Sequence, residues 1–182
     1  MRIIAGIWRG RRLLTPAGGA IRPTSDRARE ALFGILEHGA PAVRGARFLD
    51  LFCGTGAVGL EAASRGAAEV LLVEDDARAL KLARANLERL GAPDNVRLLV
   101  RDATCLGRAP QPYDFVFLDP PWRSGLATPA LAALRDGWLA DGARLIVEAD
   151  AREELDLPPG YAPEQERRYG AARFTFLRPA AG

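Results

Sequence analysis

The sequence has little of what disulfide-bonded, metal-binding or membrane-spanning proteins need. Its 182 residues include two cysteines and one histidine, so we predict neither a disulfide framework nor a metal site. Cys53 and Cys105 as free thiols suit a reducing compartment. No apolar run approaches the roughly 18 residues of a membrane span, and no signal-peptide pattern opens the chain. We therefore expect a cytoplasmic protein without membrane contact.

Positive charge is carried almost entirely by arginine and is concentrated at the start of the chain. Residues 1–29 contain seven arginines and one acid, whereas the whole chain has a net charge of +2. A basic N-terminal segment on a mildly acidic body favours a polyanionic partner, although a solvated arginine-rich surface is the alternative. The candidate phosphate-contacting residues are Arg9, Arg11, Arg12 and Arg22.

The apolar pattern predicts an α/β fold. A chain of this length with 48% hydrophobic residues suits one domain with a small appendage. From residue 47 onward short apolar runs alternate with helical patterns, which predicts a mostly parallel sheet covered on both faces. Two further strand-like pieces, 164–169 and 173–177, predict a closing antiparallel hairpin. The other predicted strands are 48–52, 69–73, 96–100, 115–118 and 143–147, and the helices are 57–65, 76–90 and 128–135.

The first 40 residues have a different pattern from the rest. Apolar residues and arginines alternate weakly over residues 2–14, which predicts two short strands in a hairpin. After a loop, Pro23-Thr24-Ser25 begins a helix with apolar residues at helical spacing, and Gly39 ends it. We therefore divide the chain into a basic hairpin and helix, 1–40, and an α/β domain, 41–182.

Residues 48–59 combine an apolar strand, a carboxylate and a glycine-rich turn that leads into a helix. The spacing is Gly54-x-Gly56-x-x-Gly59, and small residues there let backbone N–H groups approach a nucleotide-type cofactor. This spacing fits both the dinucleotide fingerprint and the first motif of S-adenosylmethionine (SAM) methyltransferases. Asp50, just before the turn, would repel a pyrophosphate but suits a cationic amine or sulfonium, directly or through water.

Acidic residues also follow the next strands, and ligands of such sheets bind beyond the carboxyl ends of the strands. Glu74 follows the second strand at a distance from the turn that suits ribose hydroxyls. Asp102 follows the third strand, where it would accept from an adenine amino group or, alternatively, cap a helix. The candidate cofactor-binding residues are Asp50, Phe52, Gly54, Thr55, Gly56, Glu74, Asp75, Asp102, Ala103 and Thr24.

The fourth strand ends in the candidate catalytic residues Asp119, Pro120, Pro121 and Trp122. Proline has no N–H, so this segment presents the Asp119 carboxylate and the Pro120 carbonyl as acceptors. Two acceptors beside an aromatic face suit the exocyclic amino group of a planar base that is single-stranded or turned out of its stack. A core tryptophan after a proline turn is the structural alternative.

These motifs resemble those of SAM-dependent amino methyltransferases. More narrowly, the chain resembles the bacterial family that methylates the N2 of a guanine in 16S ribosomal RNA, the RsmD type. Cys53 and Trp122 depart mildly from the family pattern, in which Ala and Tyr or Phe are commoner, and the last 30 residues match least. The resemblance covers nearly the whole chain and is carried by residues 1–6, 9–11, 22–33, 49–56 and 117–122.

The resemblance implies a Rossmann-like fold with a seven-stranded sheet, preceded by a small hairpin and helix that contact RNA. It also implies SAM as methyl donor and 16S rRNA in the small ribosomal subunit as substrate. We expect a monomer in which Asp119, with an ordinary pKa of about 4, and Pro120 accept hydrogen bonds from guanine N2. Arg22 and Thr24 are expected to close over the SAM carboxylate or the target base.

Other functions stay open at this point. A nicotinamide-dependent oxidoreductase would use the glycine turn but not the Asp119 segment. His38, the only histidine, is interpreted as a residue at the end of a helix and not as a catalytic base. An amino methyltransferase acting on DNA adenine or on protein glutamine would use the same motifs. A non-catalytic RNA-binding module would not need the complete set of cofactor groups.

Overall fold

The computed structural model describes residues 1–16, 25–39 and 41–180. Among these residues no helix is both long enough and apolar enough to cross a membrane. The helices are α1 (Asp26–Glu37), α2 (Ala57–Ser64), α3 (Ala77–Leu90) and α4 (Ala127–Ala133). The strands are β1 (Arg47–Leu51), β2 (Glu69–Glu74), β3 (Val96–Val100), β4 (Tyr113–Leu118), β5 (Leu139–Asp150), β6 (Tyr161–Tyr169) and β7 (Ala172–Pro179).

The seven strands form one sheet in the order β3-β2-β1-β4-β5-β7-β6. Strands β1 to β5 pair in parallel, and β7 runs antiparallel to both β5 and β6. The predicted fold class, a mostly parallel sheet with an antiparallel C-terminal hairpin, is confirmed. Strand β6 begins three residues before the predicted strand, because an edge strand tolerates Pro163 and the bulge beside it.

Local signals position the helices close to where the pattern predicted them. Helix α1 begins after Ser25, whose hydroxyl accepts from the Ala28 N–H at 3.1 Å. Helix α3 begins one residue later than predicted because Asp76 is its cap, accepting from two N–H groups of the first turn. Gly91, with φ of 62°, ends α3 in the left-handed conformation that glycine adopts easily.

A separate apolar core lies on each face of the sheet. Helices α1 and α2 cover one core, in which the Phe33 and Phe48 rings stack with centroids 6.1 Å apart. Helix α4 covers the other core, which includes Leu131 and Trp138. Three N-terminal side chains, Ile3, Trp8 and Leu13, belong to the first core, so the segments before and after residue 40 are packed together.

The N-terminal hairpin is smaller than predicted. Residues 1–16 contain one antiparallel bridge, Arg2 to Arg12, in place of two strands. Gly6 and Gly10 both have φ of 81°, so the chain turns within a few residues and leaves arms too short for a ladder.

The hairpin lies directly on α2, the helix that begins at the glycine turn. The N–H groups of Ile4 and Ala5 donate to the fully buried Glu61 carboxylate at 2.8 and 3.0 Å. A Cβ added to Gly6 would come 1.8 Å from the Ser64 carbonyl oxygen, so this contact requires glycine. The basic N-terminal segment is therefore attached to the helix that carries the predicted cofactor turn.

Candidate cofactor and acceptor site

The predicted carboxylates lie along one edge of the sheet. The parallel register pairs the last residues of β1, β2, β3 and β4 with one another, so residues just before or after these ends are neighbours. Strand order reverses between β1 and β4, and this reversal opens the crevice where α/β sheets bind ligands. The carboxylates at this edge are Asp50, Glu74, Asp102 and Asp119.

The three glycines of the turn have different structural roles. Gly54 has φ of 57°, and a Cβ added to it would meet nothing within 4 Å, so it borders open space. Gly56 has φ of 78° and forms the N-terminal cap of α2. A Cβ on Gly59 would come 2.3 Å from the Leu72 side chain, so Gly59 is needed for packing of α2 on β2. Phe52, a candidate cofactor residue, has φ of 57° and marks strained backbone at the same turn.

Glu74 is held in place by the backbone of the two loops it lies between. One carboxylate oxygen accepts from the Gly54 N–H at 2.8 Å, and the other accepts from Asp75 and Asp76, each at 3.0 Å. Its side chain is almost fully buried, whereas Asp75 is exposed. The predicted contact with ribose hydroxyls stays a prediction. The Glu74 carboxylate that would make this contact is held beside Gly54.

Asp50 points under the turn and into the first turn of α2. Its carboxylate is 1% exposed and accepts from the Gly59 N–H at 2.8 Å. Burial raises the pKa of Asp50 to about 7; the nearby Glu74 charge acts in the same direction and the Gly59 hydrogen bond opposes it. The observed role is to hold α2 on the turn, and the predicted contact with a cationic ligand stays a prediction.

Asp102 is exposed and folds back on its own loop. It accepts from the Thr104 N–H and hydroxyl, both at 2.7 Å, and these bonds lower the pKa of Asp102. Residues 103–112 contain no helix, so the alternative of a helix cap is not what these bonds form; they close a turn. Its neighbour Ala103 is buried, and contact of either residue with adenine stays a prediction.

The acceptor segment follows β4 at the centre of the edge. Burial raises the pKa of the Asp119 carboxyl well above its ordinary value, and the charges of Glu148 and Asp50 raise it further. Pro120 is buried, whereas Trp122 is partly exposed. The structure thus indicates a raised pKa for Asp119, whereas the sequence predicted an ordinary one. The sequence of one strand shows neither how buried its last residue is nor which carboxylates of neighbouring strands lie beside it.

Glu148 is a further residue of the site, one that the sequence pattern did not indicate. It is 3% exposed on β5, and the pairing of Leu118 with Val147 places it beside Asp119. A signal was available, because Glu148 directly follows the predicted strand 143–147, as the other carboxylates follow theirs. It was missed because β5 continues to Asp150 and Glu148 is part of the strand.

The candidate RNA-contacting arginines do not form one group. Arg9 and Arg12 are exposed on the hairpin. Arg11 instead donates to the carbonyl oxygens of Arg89 and, at 3.0 Å, Leu90, and so completes the C-terminal end of α3. Arg22 and Thr24 lie outside the described residues.

Comparison with known proteins identifies the family. A family model described as conserved hypothetical protein 95 matches residues 1–178. Over 186 aligned residues the chain is 40% identical to Ribosomal RNA small subunit methyltransferase D of Escherichia coli K12, covering 100% of this chain and 92% of that protein. The chain belongs to this family.

Two further proteins are similar to this chain over nearly its full length. The protein of the same name from Haemophilus influenzae is 33% identical over 179 residues, which cover 96% of this chain and 91% of that protein. The solved structure of yhhF from Escherichia coli has a TM-score of 0.83 and 37% identity, and the match covers 100% of this chain and 99% of that one. The resemblance to the RsmD type is confirmed, and with it methyl transfer with SAM as the donor.

The edge of the sheet fits SAM in this family. Gly54 borders open space, as close approach of a ligand to the turn requires. Glu74, fixed beside it, is an acceptor suited to ribose hydroxyls, and no basic side chain is among the candidate cofactor residues. The buried carboxylates Asp50 and Glu148 and the half-buried Asp119 would favour a cationic sulfonium over an anionic pyrophosphate.

Proposed function

We propose that the protein transfers a methyl group from SAM to the exocyclic N2 of a guanine in 16S rRNA, in an assembled or nearly assembled small ribosomal subunit. One observation carries the proposal: Asp119-Pro120-Pro121-Trp122 follows β4 at the strand reversal, next to the glycine turn. The relatives from Escherichia coli K12 and Haemophilus influenzae, which match nearly the whole chain, are named as small-subunit rRNA methyltransferases, and this supports an rRNA substrate over DNA adenine or protein glutamine.

The acceptor segment is suited to orient an amino group. The Asp119 carboxylate and the Pro120 carbonyl can each accept one N2 hydrogen, while the partly exposed Trp122 offers a ring for stacking. SAM, when bound, supplies an activated methyl group, so the protein mainly has to orient the acceptor, and orientation contributes up to roughly 7–11 kcal/mol. The two hydrogen bonds favour a more pyramidal nitrogen and strengthen as positive charge develops on N2.

The raised pKa of Asp119 suits a role as proton acceptor in this reaction. A carboxylate with an ordinary pKa of about 4 is a weak base, whereas burial and the neighbouring Glu148 make Asp119 a stronger one. The methylated N2 carries a positive charge until it loses a proton, and the role we assign to Asp119 is to receive that proton. Glu148 would thus act on the reaction through Asp119 without touching the substrate.

The hairpin is proposed to contact RNA through its exposed arginines. Arg9 and Arg12 remain available for phosphates, whereas Arg11 is bonded to α3. Phosphate contacts contribute affinity and orientation without reading sequence. Selection of the target guanine would then come from the acceptor segment and from the shape of the ribosomal particle.

The test is transfer of labelled methyl from SAM to small subunits lacking the modification, with the modified base mapped afterwards. Label on guanine N2 of 16S rRNA supports the proposal, whereas label on a ribosomal protein or on another base overturns it. Asp119→Ala should lower the single-turnover rate by about 10²–10⁴-fold with nearly unchanged SAM affinity. Equal rates for the variant and the wild type would exclude the role given to Asp119.

A further inference from the structure

Asn86 is a fully buried polar residue in the interior of α3 whose amide joins two other parts of the chain. Its Nδ2 donates to the Thr55 carbonyl at 3.0 Å and to the Leu14 carbonyl at 3.1 Å, and its Oδ1 accepts from the Leu14 N–H at 2.7 Å. Both amide hydrogens and the amide oxygen are therefore used. Neighbouring residues on the buried side of α3 are apolar, so packing alone does not require an amide here.

The two segments that Asn86 joins serve to bind different ligands in the proposed reaction. Thr55 lies between Gly54 and Gly56 of the cofactor turn. Leu14 is the last residue of the basic hairpin and precedes, along the chain, the segment with Arg22 and Thr24. One side chain thus bonds the backbone of the methyl-donor site and the backbone that leads out of the RNA-contacting hairpin.

We propose that Asn86 is a positioning residue through which methyl-donor binding and RNA binding strengthen each other. The inference rests on the proposed function, since it takes the hairpin as the RNA contact. A ligand that orders the glycine turn fixes the Thr55 carbonyl, hence the Asn86 amide, and hence the Leu14 backbone in the position that RNA requires. Thermodynamic linkage makes the effect reciprocal, so RNA tightens donor binding by the same factor.

A purely structural role predicts a different outcome. In that case loss of Asn86 lowers stability but leaves the ratio of RNA affinities with and without donor unchanged. Ser64 supplies the matched control, because its hydroxyl accepts from the Trp8 N–H at 3.0 Å and donates to the Ala5 carbonyl at 2.5 Å, anchoring the same hairpin to α2. These bonds bypass the glycine turn, so Ser64→Ala weakens the hairpin without cutting the link from Thr55 to Leu14.

The experiment measures the Kd for unmodified small subunits with and without saturating S-adenosylhomocysteine, the demethylated and unreactive form of the donor. We expect the wild type and Ser64→Ala to bind about fivefold or more tightly with the nucleoside present, and the ratio to fall to about one in Asn86→Ala. Asn86→Ser keeps a small neutral side chain that is too short to bond Thr55 and Leu14 together, so it gives the same answer if the alanine variant does not fold.

Three results would overturn the inference. They are an Asn86 variant that folds and keeps the wild-type ratio, a Ser64→Ala ratio that falls equally far, and a wild-type ratio of one. If the wild type binds small subunits with a ratio of one, the coupling fails while the proposed function stands. If the wild type does not bind small subunits at all, the proposed substrate fails as well.

Discussion

Replacing Asp50 with asparagine should change how the stability of the ligand-free protein depends on pH. Asparagine keeps an oxygen that accepts from the Gly59 N–H but carries no charge. The wild-type carboxyl has an ordinary pKa of 3.8 when unfolded and of about 7 when folded, and one pKa unit corresponds to about 1.4 kcal/mol. Ionising Asp50 in the folded protein therefore costs up to about 4 kcal/mol, an order-of-magnitude figure for a buried carboxyl.

The sign follows from the direction of the pKa change. Below pH 3.8 Asp50 is protonated in the folded and the unfolded protein, so it does not change the free energy of unfolding. As pH rises from 3.8 toward about 7, only the unfolded protein releases this proton, so the folded protein becomes less stable relative to it. The advantage of Asp50→Asn over the wild type should thus grow by about 2.5 kcal/mol between about pH 5 and about pH 8. Asp119 titrates in both proteins, so the difference between them mainly reports Asp50.

The assay is urea unfolding of both proteins at several pH values, with stability taken by linear extrapolation. Asp94→Asn, in the exposed turn before β3, controls for the loss of one surface charge. Stability curves for Asp50→Asn and wild type that stay parallel across this pH range would refute the reasoning, because they would show that ionising Asp50 costs nothing in the folded state.

Three further predictions concern packing, catalysis and RNA binding. Gly59→Ala should lower the free energy of unfolding by about 1–3 kcal/mol, since its Cβ would come 2.3 Å from a leucine of β2. Gly34→Ala in α1 is the control, because its Cβ would meet nothing within 4 Å. It should raise the free energy of unfolding by about 0.5–1 kcal/mol in the same assay. The single-turnover rate should rise with pH through the raised pKa of Asp119, and a rate independent of pH would contradict its role as an ionised acceptor. Removing Arg9 and Arg12 together should reduce the salt slope of small-subunit binding by about two; an unchanged slope would place the phosphate contacts elsewhere.

Most of the fold could be predicted because its signals are local. Strands buried on both faces are short apolar runs, and helices covering them have one apolar side, so their order along the chain predicts a parallel α/β sheet. The predicted 96–100 strand has the bounds of β3. Strand β5 extends well beyond its predicted bounds, because pairing with a neighbouring strand extends a strand through residues whose own pattern is polar or mixed.

The candidate site could be predicted only in part. Asp50, Glu74 and Asp119 were predicted at the edge of the sheet because each accompanies the end of an apolar run. Their environments could not be predicted, since the pKa of Asp119 is raised mainly by burial and further by Glu148, which lies on a strand about 30 residues later. Arg11 could not be separated from its neighbouring arginines, because its partners lie at the end of α3.

The sequence by itself determined the family, the order of strands and helices, and the side-chain chemistry at the edge of the sheet, because these depend on residue type and spacing. Only the tertiary structure decided which groups those side chains meet. It placed Asp50 under α2, Glu61 beneath the hairpin, and Asn86 between the cofactor turn and Leu14. The physical reason is that pKa changes and buried hydrogen bonds depend on distances of a few ångströms between residues far apart in the chain.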